Sequence, residues 1–400
     1  MSFDGKVYDV QGALEEAGLD GWLFYDFRRS NELACQFLEI SSEKLLTRRF
    51  FYWLPSEGVP IKIVHAIEEN SLDHLPGVVL SYRTWQQLES HLATALEGSQ
   101  KIAMEYSPRN AIPYISKVDA GTMDVVRGLG VEVVSSADLL QKYTSVWDSY
   151  KLQTHLAAAE VLNQTVGAAW GFIASSLKEG VAINELMVQQ FILNEFAKRN
   201  CMTSDKPICA VNAHSADPHY TPEKGKAASI KMGDFILIDL WCKQNLPNAV
   251  YADITRVGVA ASKPTPKQQA IFDLVELARD TAVDWIKTGY SQGIAMMGCE
   301  VDDVCRDVIR KAGYDSYFIH RTGHNIDLND HGNGANIDNL ETRDCRLLLP
   351  GTCFSIEPGI YLPGEFGVRL EYDVYLGLDG QVHITGGIQD SIETLVANKT

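Results

Sequence analysis

The chain has 400 residues, 46% hydrophobic and 22% charged, with a formal net charge of -17. At roughly 150 residues per domain, that length gives two or three domains with real cores, and the composition excludes long disorder. The acidic surplus repels nucleic-acid phosphates and anionic membranes, so neither is expected as a partner.

The start, MSFDGKVYDVQGALEEAGLD, has no basic region followed by an apolar stretch, and no segment is long enough to span a bilayer. A cytoplasmic location is expected. Eight cysteines are scattered without a C-x-x-C pair, which predicts buried, reduced thiols rather than a disulfide framework or a thiolate zinc site.

In chain order, the first third alternates short apolar runs (GWLFYDF, RRFFYWL, VEVVSS) with helical stretches such as TWQQLESHLATAL. This predicts one α/β domain over 1–147. Near 148 the texture changes. Asp148 or Ser149 can cap a long helix on which Leu152, Leu156, Ala159, Val166 and Trp170 recur at helical spacing, opening a second domain over 148–400. A helix is predicted near 183–198, strands near 235–241 and 250–259, helices near 265–287 and 300–311, and strands near 352–357, 367–376 and 381–385. Long helices segregated from later strands indicate an α+β domain with a largely antiparallel sheet.

Several carboxylates sit where strands disfavour them. FILIDLW and VYADITRVGV flank a turn-rich CKQNLPNA and read as a hairpin that makes Asp239 and Asp253 near neighbours. Like charges across a strand pair repel, so a cation between them is one reading. The other is that Asp239 ends its strand and Asp253 pairs with Arg256. In GVRLEYDVYL, Arg369, Glu371 and Asp373 form a polar stripe opposite Val368, Leu370, Tyr372 and Val374, and such a stripe by itself predicts solvent exposure. Glu357 follows an apolar run and precedes a Pro-Gly turn. Three of the ten histidines, His320, His324 and His331, fall within twelve positions of one another. Oxygen-rich donors with one imidazole suit divalent Mn, Co, Fe or Zn, and two such ions can share carboxylates.

Asp239, Asp253 in YADITR, His324 in TGH, Glu357 in EPGIY and Glu371 in VRLEYD, in this order, resemble the five metal ligands of the M24 metallopeptidases, specifically the Xaa-Pro aminopeptidase and prolidase group. The resemblance implies a pita-bread catalytic domain preceded by a creatinase-type N-terminal α/β domain. It implies Asp239 as a ligand of one ion, Asp253 and Glu371 as bridges, and His324 and Glu357 as ligands completing the other ion. A hydroxide bridging two divalent ions, manganese foremost, would attack the bond before proline, with Glu357 passing its proton. His219, His320 and His331 match substrate-side histidines, and Arg369 and Tyr361 match residues that orient ligands. The substrate implied is a small peptide with proline second, and the assembly a homodimer.

The chain departs from the family pattern at GHNID, where relatives often have GHGIG, and at His331-Gly332, where a His-Glu pair is usual. Its ligand aspartates are fourteen apart rather than about eleven, a loop extension that is cheap in closure entropy. Two other functions compete with the exopeptidase. One is a lyase or hydrolase acting on a non-peptide small molecule through the same metals, and the other is a non-catalytic binding module. Creatinase, which works without metals, fits the intact ligand set less well.

Overall fold

The computed structural model describes residues 3–396, which divide after Thr144 into two compact units. The first contains α1 (Phe3–Glu16), β1 (Gly21–Asp26), α2 (Glu32–Phe37), β2 (Phe50–Pro55), β3 (Ile61–His65) and β4 (Val78–Tyr82). It continues with α3 (Trp85–Ala95), β5 (Lys101–Met104), α4 (Ala120–Gly128), β6 (Glu132–Ser135) and α5 (Ala137–Thr144). Its six strands form one mixed sheet in the order β4-β3-β2-β1-β5-β6. Both sides of β1 are buried, Trp22 and Phe24 in one apolar cluster and Leu23 and Tyr25 in another, as a central strand covered on both faces requires.

The second unit begins before its first helix, because Trp147 packs with Val250, Tyr251, Ile326 and Tyr375. Asp148 then caps α6 (Ser149–Glu179) by accepting from the Lys151 amide, and Gly180, at φ 69°, ends it in the left-handed region. Next come α7 (Glu185–Lys198), β7 (Cys201–Met202), β8 (Ile208–Val211), β9 (Phe235–Gln244) and β10 (Ala252–Val259). Pro266 and a Thr265/Gln268 capping box start α8 (Pro266–Ser291), and α9 (Gly298–Lys311) follows. The chain finishes with β11 (Asn325–Ile326), β12 (Cys353–Ile356), β13 (Gly359–Leu362), β14 (Phe366–Arg369), β15 (Tyr372–Leu376), β16 (Val382–Thr385) and β17 (Glu393–Thr394).

Alternation along β9 decides where the site lies. Ile236, Ile238 and Leu240 join an apolar cluster with α6 and α7, whereas Phe235 and Leu237 face the cluster built with α8 and α9. Asp239 continues the second face. On the antiparallel partner β10, Val257 and Val259 share that face, so Thr255 and Asp253 share it too. The sheet β11-β12-β15-β16 supplies the facing wall, with Asp373 of β15 accepting from the Asp253 amide at 2.9 Å.

Three expectations are corrected. The strand predicted over 367–376 is broken, since β14 pairs with β13 and β15 pairs with β12 and β16. Leu370 and Glu371 carry the chain between sheets, and the Glu371 carbonyl accepts from Arg256. The polar stripe of that segment is buried, not solvated: Arg369, Glu371 and Asp373 are all below 5% exposed. On α6, Leu156 is exposed while its neighbour His155 is fully buried, bonded to the Tyr251 carbonyl and Thr385. A polar residue that finds two partners has taken the inward position that apolar spacing assigned to leucine.

Candidate metal centre

Asp239 and Asp253 lie diagonally across the β9–β10 pair, because Asp239 is opposite Thr255 and Asp253 opposite Trp241. The side chain of Asp253 is not paired with Arg256, whose guanidinium bonds carbonyls of Thr255, Glu371, Gly386 and Gly387. Thr255 links the two carboxylates that flank it. Its hydroxyl lies 3.0 Å from Asp239 Oδ1 and 2.6 Å from Glu371 Oε2, and accepts from Arg369 Nε at 3.0 Å. One hydroxyl proton serves only one of the two carboxylates.

His324 reaches the same space from the loop before β11. The Cβ of any residue at 323 would come within 1.9 Å of the Ser355 carbonyl, so only glycine lets this loop approach β12. The His324 amide then donates to Ser355 Oγ on β12. Its Nδ1 faces the Asn325 carbonyl at 3.3 Å, which puts the ring proton there and leaves the Nε2 lone pair free. That Nε2 points at Glu357 Oε1, 3.4 Å away, and at Asp253 Oδ2, 3.9 Å away. Burial, then the neighbouring His331, holds His324 well below its usual pKa, in the neutral form that binds metals.

Single ligand atoms of Asp253, His324 and Glu371 lie within 4.8 Å of one another. Glu357 joins them through His324. Asp239 stands one step away, with one oxygen held by Arg369 Nη2 at 2.5 Å and the other by Thr255. The five expected ligands therefore lie close together in the second unit, with Asp253, Glu357 and Glu371 nearest His324 and Asp239 joined to them through Thr255 and Arg369. Burial followed by the charge of Glu371 pushes the Asp253 carboxyl well up, and burial with Glu357 and Asp239 does the same to Glu371. Glu357 is raised to about 7 by burial against the opposing pull of Arg369.

The residues fit divalent ions on a test independent of the family. Asp253 Oδ1 and Glu371 Oε1 are buried without any hydrogen-bond partner, and burying an unpaired carboxylate oxygen costs several kcal/mol. Carboxylate oxygens that lack donors and converge on a neutral imidazole nitrogen make a cation-binding set.

Around the carboxylates runs an ordered proton chain. His320 Nδ1 donates to the Arg321 carbonyl, so its Nε2 accepts from the Tyr361 hydroxyl at 2.7 Å, and that oxygen accepts from Arg369 Nη1 at 2.9 Å. Burial, with the nearby Arg369 charge, lowers His320 to about 3 and keeps it neutral. Arg369 thus spans Asp239, Thr255 and Tyr361. The His331 ring lies 4.0 Å from that of His324, tilted by 46°, and its side chain stays 62% exposed; Arg321 Nη2 donates to its Nδ1, which puts the proton on Nε2, 3.6 Å from Asp330 Oδ2. His219 is exposed and lies near His331. Thr255, Arg321 and Ser355 were not singled out from sequence, whereas Asp327 and Asp330 stood out between the two histidines and read as a local departure from the family; for Thr255 the signal was its place between two carboxylates on one strand face.

The departures at 325 and 332 are one packing change. The Asn325 side chain fills space beside the loop, donating to the Cys353 carbonyl and accepting from the Gly334 amide. A Cβ at 332 would meet its Oδ1 at 2.2 Å, so asparagine at 325 demands glycine at 332.

The model of metallopeptidase family M24 matches residues 155–377 of this chain. The chain belongs to that family. It is 31% identical over 264 residues to a putative dipeptidase, YkvY, of Bacillus subtilis, covering 66% of each chain. It is 30% identical over 231 residues to an Xaa-Pro dipeptidase of Lactobacillus delbrueckii subsp. lactis, covering 58% of each. The matches thus span two thirds or less of these relatives' own lengths. In three dimensions the dipeptidase PepE of Mycobacterium ulcerans superimposes with a TM-score of 0.69 at 23% identity, covering 98% of this chain and 97% of that one. The fold of this M24 member is accordingly the pita-bread catalytic domain preceded by an α/β N-terminal domain. No helix among its described residues is long and apolar enough to cross a membrane.

Proposed function

We propose that this M24 protein is a metal-dependent exopeptidase that hydrolyses the peptide bond before proline, in dipeptides or at peptide N-termini. The observation that carries the reading is the convergence of Asp253, Glu357 and Glu371 on the unprotonated Nε2 side of His324, with two buried carboxylate oxygens left without donors. Asp239, Asp253, His324, Glu357 and Glu371 would hold two divalent ions. Bound there, the ions would lower the pKa of a shared water towards neutrality and so supply a hydroxide nucleophile, and would polarise the scissile carbonyl.

The chain's own residues do the rest. Glu357, buried beside His324 and Ser355, takes the proton of the attacking water and returns it to the leaving nitrogen. Arg369 fixes Asp239 and, through Thr255, Glu371. His331 Nε2–H, held by Arg321, donates to the oxygen that becomes negative, and His219 lines the substrate side. Tyr361 and His320 hold Arg369 in register. Manganese as the resident ion, a homodimeric assembly and a cytoplasmic location belong to the same proposal and rest on family resemblance.

The test is an assay of Mn- or Co-loaded protein over Xaa-Pro dipeptides and Xaa-Pro-Xaa peptides. Cleavage of one set assigns a dipeptidase or an aminopeptidase, and Glu357→Ala or His324→Ala removes it with the fold retained. Loaded protein that leaves both sets uncut contradicts the reading and favours chemistry on a non-peptide substrate.

A further inference from the structure

The loop 325–331 carries two aspartates, and the structure separates their roles. Asp327 points away from the site into an ion pair with Lys151 Nζ at 2.7 Å, and its carbonyl accepts from the Tyr251 amide. It anchors the loop to α6. Asp330, three residues on, turns the other way. Its carboxyl lies within hydrogen-bond reach of Asp253, and single ligand atoms of His324, Asp330 and His331 fall within 4.8 Å of one another. Its Oδ1 is buried and has no hydrogen-bond partner.

The two clusters of close donor atoms, Asp253–His324–Glu371 and His324–Asp330–His331, share His324. The shared imidazole makes them one continuous donor set. His331 is a poor ligand within it, because Arg321 donates to its Nδ1 and Nε2 keeps the proton. Asp330 has no such obstacle. His331 Nε2 lies 3.6 Å from its other oxygen, Oδ2, but no side chain bonds its Oδ1, and Asp253 Oδ1 and Glu371 Oε1, on residues more than nine-tenths buried, likewise lack partners. A carboxylate oxygen that lies beside other carboxylates and lacks a donor is accommodated by a cation on their common side.

We propose that Asp330 is a further metal ligand of this chain, adding a carboxylate to the ion that His324 binds. The inference rests on the metal-centre reading above and extends it to a residue outside the five-ligand pattern. An added carboxylate makes the His324 side richer in hard oxygen donors and raises the coordination number available there. Both changes favour Mn2+ over Zn2+, which prefers four-coordinate nitrogen-containing sites.

The experiment is calorimetric titration of the metal-free full chain with Mn2+ and separately with Zn2+, supported by the Mn2+ electron paramagnetic resonance spectrum. It compares wild type, Asp330→Asn, Asp253→Asn and the exposed-loop control Asn329→Ala. Thermal melting of each metal-free variant confirms folding. Asp330→Asn is expected to weaken one Mn2+ site at least tenfold, to weaken Zn2+ less, and to change the spectrum of the remaining ion, while Asn329→Ala matches wild type. Asp330→Asn that binds Mn2+ as tightly as wild type or tighter, while Asp253→Asn loses an ion, overturns the role of Asp330 and leaves the metal centre standing. Wild type that binds neither ion overturns both.

Discussion

Thr255 shows how much a single hydroxyl can carry. It stands between Asp239 and Glu371 and receives Arg369, so replacing it with valine leaves a guanidinium N–H and one of the two carboxylates short of a partner at almost unchanged volume. Thr255→Val is expected to cost about 1–3 kcal/mol in chemical denaturation and to loosen metal binding. Tyr361→Phe deletes only the link between His320 and Arg369, and an activity loss of about 10–100-fold with normal metal content is expected. Glu357 titrates near 7 in the metal-free chain against a usual 4.5, so between those values the folded chain holds a proton that the unfolded chain has lost. Metal-free stability from this group therefore falls as pH rises through that window. Because bound metal must displace the same proton, apparent metal affinity falls as pH drops below about 7, measurable by titration from pH 6 to 8. The carboxylates that come together were conspicuous in sequence because they sit in or beside apolar strands, and it was the family resemblance that named them as expected ligands. Thr255 was not, because threonine is at home in strands.

At the scale of elements, the hairpin β9–β10 and the cap of α6 were readable from turn chemistry and capping residues. The break between β14 and β15 was not. GVRLEYDVYL alternates as one strand, and only tertiary pairing shows that Leu370 and Glu371 cross from one sheet to another. The buried polar face of this segment was misread for the same reason, since its charge is matched by residues distant in sequence. The loop before β11 yields a coupling prediction. Gly332→Ala pushes a methyl against Asn325 Oδ1 and is expected to destabilise by about 1–3 kcal/mol. Asn325→Gly in the same chain should recover part of that loss, a positive coupling read from a double-mutant cycle of melting curves. Additive losses would contradict the joint packing of these two positions.

Across the whole molecule, composition shows an acidic chain, and the change of texture near 148 led to an expected boundary at 147, whereas the compact units divide after Thr144. The register that brings strands, hairpin and histidine loop onto one pocket emerges only when the sheets of the second unit assemble. The buried carboxyls leave the metal-free second unit with oxygens that lack partners, and an ion that binds only the folded chain stabilises it, so chelation is expected to lower its melting temperature and reloading with Mn2+ to restore it. The central claim is that this pocket holds two divalent ions between Asp253 and Glu371. It is tested most directly by anomalous diffraction from crystals loaded with Mn2+. The account predicts two manganese peaks, both within bonding distance of Asp253 and Glu371, one also reached by Asp239 and the other by His324 and Glu357. Crystals of folded, Mn2+-saturated protein showing no manganese in this pocket would contradict it.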